Sequence, residues 1–166
     1  MPEAPSRLQT FDLVEQQPRA IVVHCSDPRF QKAFREFIHG QLHLADGEYI
    51  PLVVSGGVAS LSEPLRLPKE FKFMKERIEL FLERFSTINR IILINHEDCR
   101  HYEAVKERIG RIFLHRFSDM SERQRTDLKN VARTLLDLTA GGMACELYYA
   151  AIVGGTPRRI VFERML

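Results

Sequence analysis

The sequence predicts a single-domain α/β fold: a mostly parallel central sheet flanked by helices, with a C-terminal antiparallel strand added through a hairpin. Three observations predict it. Short apolar runs rich in β-branched residues, at 20–24, 49–54, 90–95 and 146–153, alternate with longer segments whose apolar residues recur at helical spacing. Helical segments of that length are what parallel strands need as crossovers. The last two strand-like runs, 146–153 and 160–163, are separated only by a turn around Gly154-Gly155-Thr156-Pro157, so they pair as a hairpin.

Each element has its own warrant. Residues 1–19 are polar and are expected to be a flexible N-terminal segment, with one domain over 20–166. Ala20, Ile21, Val22 and Val23 open a buried strand. Phe30, Ala33, Phe34, Phe37 and Ile38 then fall on one helical face, and Gly40 is suited to end that helix. Tyr49–Val54 is the second strand, in which Pro51 limits pairing because it has no N–H. It runs into Ser55-Gly56-Gly57, a turn where the backbone can approach a ligand closely.

Residues 60–69 carry Pro64 and Pro68 and read as a connecting loop. Phe71, Met74, Ile78, Phe81, Leu82 and Phe85 mark a long amphipathic helix, followed by the third strand at 90–95. Tyr102, Val105 and Ile109 continue as a helix. Ser121 is placed to cap another, whose apolar face is Leu128, Val131, Ala132, Leu135 and Leu136 and which Gly141-Gly142 would end. There is no internal repeat and no domain boundary.

Composition removes several classes of function. A chain of 166 residues with 45% apolar and 28% charged residues is one soluble globular domain. The net charge of +2 and the scattering of basic residues among acidic ones argue against a nucleic-acid partner. No apolar stretch reaches the roughly 20 residues of a membrane helix, and the start of the chain has no signal-peptide core, so a cytoplasmic protein is expected. Cys25, Cys99 and Cys145 are an odd set without regular spacing. In a reducing compartment they point to metal binding or reactivity rather than to a disulfide framework.

The chemistry concentrates in two motifs, Cys25-Ser26-Asp27-Pro28-Arg29 and His96-Glu97-Asp98-Cys99. Each follows directly on a predicted strand, as does Gly56-Gly57, so all three should lie on one edge of the sheet, where open α/β sheets bind ligands. Zinc favours thiolate and imidazole in tetrahedral geometry, and three protein ligands with one open position is the catalytic arrangement. Cys25, His96 and Cys99 supply three. Cys145 lies at the start of a strand, at the opposite edge, which argues against it as a fourth. A single cysteine after an apolar strand is more often a small buried hydrophobe, and a single His-x-x-Cys arises often by chance. Their joint placement carries the reading. Asp27 could either coordinate the metal or accept a hydrogen bond from metal-bound water, with Arg29 holding it in the second role. A phosphate-binding cysteine loop fits poorly, because its arginine six positions after the cysteine is Gln31 here.

The paired motifs resemble the signature of the β-class carbonic anhydrases, Cys-x-Asp-x-Arg followed by His-x-x-Cys. The resemblance extends over most of the chain from about Ala20, through the order of strands and helices, Gly57 and the closing hairpin. It implies a zinc site of Cys25, His96 and Cys99. It also implies catalytic roles for Asp27 and Arg29, a carbon dioxide/bicarbonate substrate, and a homodimer or higher homo-oligomer. In some family members the aspartate turns onto zinc and shuts the site. Hydrolysis of carbon disulfide or carbonyl sulfide on the same centre, or zinc binding without turnover, are the alternatives. The chain departs from the family pattern at Val54-Ser55-Gly56-Gly57, where Arg-Asn-Ala-Gly is common, and at Asn95 and Arg100, where glycines are usual. The helical arm before the first cysteine is nearly absent. His24 and His101, close to the ligands in sequence, are candidates for proton transfer.

Overall fold

The computed structural model describes residues 9–65, 67–109, 119–139 and 142–165. Five strands form one sheet in the order β2-β1-β3-β4-β5: β1 Ala20–Cys25, β2 Tyr49–Val54, β3 Arg90–His96, β4 Ala144–Val153 and β5 Arg159–Met165. The first four run parallel, and β5 returns antiparallel to β4. The helices are α1 Gln31–Gly40, α2 Ala59–Ser62, α3 Pro68–Arg84, α4 Arg100–Ile109 and α5 Met120–Leu138.

Alternation along the strands divides the core into two layers, since successive side chains point to opposite faces. Ile21 and Val23 of β1, with Ile91 and Leu93 of β3, pack under α3 (Met74, Ile78) and α5 (Leu128, Val131, Leu135). Ala20, Val22, Ile92 and Ile94 pack under α1 through Phe34 and Ile38. Both central strands are therefore apolar on both faces, as parallel strands covered by helices must be. The proline in β2 is tolerated because β2 is a sheet edge, with Pro51 exposed and paired only to Val22.

Local signals explain where the elements differ from expectation. The segment 60–69 is not all loop: α2 occupies Ala59–Ser62, and Pro68 opens α3. Proline suits a first helical position, where its missing N–H has no partner to lose. Phe85 caps α3 rather than extending it, its N–H bonded to the Phe81 carbonyl. Helix α5 is capped by Asp119, whose carboxylate accepts the Glu122 N–H at 2.6 Å, and not by Ser121. Asp119-x-x-Glu122 has the spacing of a capping box, which was the available signal. Ser121 accepts instead from the Tyr149 hydroxyl. Gly141 and the side chains of Val105 and Ile109 lie outside the described residues. Pro18 and Arg19 are tied to the domain: the Pro18 carbonyl accepts from Thr87, and Arg19 bonds the His43 carbonyl and Glu48. Among the described residues no helix is long and apolar enough to cross a membrane.

Candidate metal centre

Strand order reverses around β1, with β2 on one side and β3 on the other. At such a switch point the loops leave in opposite directions and open a crevice beyond the strand ends. Cys25 is the last residue of β1 and His96 the last of β3. Cys99 follows three residues later, just before α4. The structure brings the three together as a buried group, with one donor atom from each lying within 4.8 Å of the others. Cys145 pairs with Ile91 at the start of β4, at the other end of the sheet.

The donor geometry suits a tetrahedral metal. The sulfurs of Cys25 and Cys99 are 3.8 Å apart. Two sulfurs each about 2.3 Å from a zinc ion at the tetrahedral angle stand about 3.8 Å apart as well. The imidazole is oriented with equal specificity. His96 Nδ1 lies 2.8 Å from the Glu97 carbonyl oxygen. A carbonyl only accepts, so Nδ1 carries the hydrogen and Nε2 holds the lone pair. Nε2 is buried and has no hydrogen-bond partner among the described residues. Phe30 packs on the ring at 4.1 Å between centroids.

The protein also prepares the thiols electrostatically. The Cys99 thiol hydrogen-bonds Cys25, the His96 ring lies beside it, and the Gly56 N–H donates to its sulfur at 3.3 Å. Together these outweigh burial and draw Cys25 well below the usual thiol range. The same hydrogen bond, with burial, pushes the Cys99 thiol up. A metal would replace the proton held between them.

Asp27 does not join the cluster. Its carboxylate is clamped by Arg29, which donates Nε to Oδ1 at 3.0 Å and Nη2 to Oδ2 at 2.7 Å, while the Arg29 backbone N–H reaches Oδ1 at 2.9 Å. This pairing holds the Asp27 pKa down at about 2. Arg29 reaches the second motif too: Nη1 donates to Asp98 Oδ2 at 2.6 Å and Nη2 to the Asp98 carbonyl at 2.7 Å. Asp98 presents both acceptors because its backbone is left-handed, at φ 56°. Sequence reasoning missed Asp98, and missed Gln31, whose amide donates to the Cys25 and Asp27 carbonyls at 2.9 and 2.7 Å. Neither role leaves a periodic signal.

A cavity of about 310 Å³ opens on the group, lined by Cys25, Asp27, Arg29, Ser55, Cys99 and His101 among others. The altered turn is coupled to this wall. A Cβ on Gly56, at φ 77°, would stand 2.2 Å from His101 Cδ2, so the turn is bare where the imidazole lies. Ser55 Oγ meets His101 Nδ1 at 3.1 Å. Of the two histidines considered for proton transfer, only His101 lines the cavity. His24 is buried against Phe34 with Nδ1 on the Cys25 carbonyl, and burial lowers its pKa.

Fold and donor set together define an α/β protein with a candidate Cys-His-Cys metal centre at its topological switch point. No protein-family model and no curated protein sequence matches the chain. Among solved structures, its fold is that of the β-carbonic anhydrases. The enzyme CafD of Aspergillus fumigatus aligns with a TM-score of 0.51 at 14% identity, covering 99% of this chain and 95% of that one. A β-carbonic anhydrase of Sordaria macrospora, one of two described as tetrameric, aligns with a TM-score of 0.50 at 14% identity, covering 91% of this chain and 84% of that one.

Proposed function

We propose that the protein is a zinc-dependent enzyme that reversibly hydrates carbon dioxide to bicarbonate. The observation that carries this reading is the buried Cys25–His96–Cys99 group with a carboxylate, Asp27, held beside it but off it by Arg29. Zinc, when bound, supplies a Lewis acid that makes water a nucleophile near neutral pH.

The chain's own residues shape the rest. An ionised carboxylate has about four acceptor sites. Arg29 meets Asp27 Oδ1 with its N and Nε, and Oδ2 with Nη2 at 2.7 Å and a longer, shared Nε contact at 3.2 Å. Oδ2, with one short bond and a half-share of Nε, keeps the more open acceptor position. Asp27, held anionic, accepts there and cannot donate. It orients a nucleophile that carries a proton, and it disfavours binding of ligands that present only lone pairs. The walls of the cavity, about 310 Å³ in volume, restrict the substrate to a small molecule. Free thiols at all three cysteines suit a reducing compartment such as the cytoplasm. A homo-oligomer is part of the same proposal, and light scattering reads it directly.

Elemental analysis of the wild type and Cys25→Ser, paired with stopped-flow hydration of carbon dioxide, tests the reading. About one zinc per wild-type chain, lost in the variant, and a rate above buffer are expected. Asp27→Ala should keep zinc and lose most of the rate. Zinc uptake with no hydration at any pH would leave a non-catalytic zinc protein, and turnover confined to carbon disulfide or carbonyl sulfide would reassign the substrate.

A further inference from the structure

In a parallel pair, every second residue on one strand donates its N–H to the partner strand and accepts, through its own carbonyl, from a partner residue two further along. β3 and β4 follow this rule with His96 opposite Ala150. The next rung assigns the Glu97 N–H to the Ala150 carbonyl, and that bond is present at 2.9 Å. The rung also assigns the Ile152 N–H to the Glu97 carbonyl. The structure shows a different acceptor: Ile152 N donates to Glu97 Oε2 at 2.7 Å. The Glu97 carbonyl has turned away and takes the Nδ1–H of His96 at 2.8 Å.

We propose that Glu97 is a positioning residue for the metal centre: its carboxylate replaces its own main-chain carbonyl in the β3–β4 ladder, which releases that carbonyl to hold the His96 ring. The exchange satisfies both donors at once. Without the side chain, the single carbonyl faces two claims, from the Ile152 amide and from the His96 imidazole. Returning it to the sheet would free the ring and let the hydrogen shift to Nε2, the buried nitrogen that otherwise offers its lone pair. Partners that fix a ligating imidazole in this way are worth about 10–100-fold in metal affinity.

The inference rests on reading Cys25, His96 and Cys99 as a metal site. Zinc affinity, measured by chelator competition on the full chain, tests it in wild type, Glu97→Gln and Glu97→Ala. The glutamine amide oxygen can still accept from Ile152, so Glu97→Gln should bind zinc nearly as tightly as wild type. Glu97→Ala should weaken binding about 10–100-fold. Equal losses in both variants would show that charge matters rather than the acceptor, and would overturn the proposal. So would unchanged affinity in Glu97→Ala. Amide hydrogen exchange in the wild type adds a measurement that needs no variant to fold: the Ile152 N–H should be protected, and fast exchange there refutes the bond. A wild-type chain that takes up no zinc overturns the metal reading itself, whereas tight binding indifferent to Glu97→Ala overturns this inference alone.

Discussion

Replacing Gly57 with alanine should destabilise the protein by about 2–5 kcal/mol, through two separable effects. The residue sits at φ 50°, a left-handed conformation, and a side chain there costs about 1–2 kcal/mol. The second effect is a clash. A Cβ on Gly57 would lie 2.8 Å from the Cys25 nitrogen and 2.8 Å from the His24 carbonyl carbon. Both are main-chain atoms of the central strand β1, which pairs with a neighbour on each side, so no rotamer change relieves the contact. Forcing one methyl group into a closed site typically costs about 1–3 kcal/mol. Equilibrium urea unfolding of the metal-free protein measures the total, provided the denaturant slope is unchanged. Gly40→Ala is the control. Nothing lies within 4 Å of its Cβ position, at the last residue of α1, so it should be neutral or slightly stabilising. A Gly57→Ala variant as stable as Gly40→Ala would refute the reasoning. Because the displaced atoms carry Cys25, zinc affinity should fall together with stability.

Three further outcomes are expected. Arg29→Lys should retain zinc but lose about 10–100-fold in hydration rate, because a lysine cannot hold Asp27 and Asp98 together; zinc content and stopped-flow rates read the two effects separately. Asp127, buried in α5 beside Tyr102 and Arg123, has its pKa raised from 3.8 to about 6 by burial. The folded state therefore holds this proton more tightly than the unfolded one, and stability should fall as pH rises from about 4 to about 6. At about 1.4 kcal/mol per pH unit this loss is at most about 3 kcal/mol, and it should vanish in Asp127→Asn; an unchanged slope in unfolding free energy against pH would contradict the assignment. Asp119→Ala should cost about 1 kcal/mol of thermal stability through loss of the α5 cap, and more than Ser121→Ala does.

The sheet, and the edge that carries the candidate metal centre, were legible because their signals are periodic. Runs such as Ile91-Ile92-Leu93-Ile94 identify central strands, and the residue that ends such a run, Cys25 or His96, must lie at the carboxyl edge. What escaped depends on contacts that no spacing encodes. Arg29 meets Asp98 at a left-handed turn after β3. Gly56, a departure from the family pattern, and His101, a candidate for proton transfer, read as unrelated until the structure places the imidazole where a Cβ on the glycine would be. His24 is next to Cys25 in sequence, but adjacent residues on a strand face opposite ways, and its ring packs on Phe34 of α1 away from the cavity. Two prolines make residues 60–69 read as a loop throughout, yet a first helical turn accepts Pro68, which opens α3.

Arg29 holding both motifs has a consequence for the order of events in folding. The first motif leaves the ribosome about 70 residues before the second, with α1, β2, α2 and α3 between them. Until β3 docks beside β1, Cys25 has neither an imidazole nor a second sulfur, and Asp98 is not yet available to Arg29. The centre therefore matures late, after the long-range pairing that is slow in parallel sheets. Metal retention by newly made protein should thus report that the central strands have found their register, a checkpoint that the helices alone, formed locally and early, cannot provide.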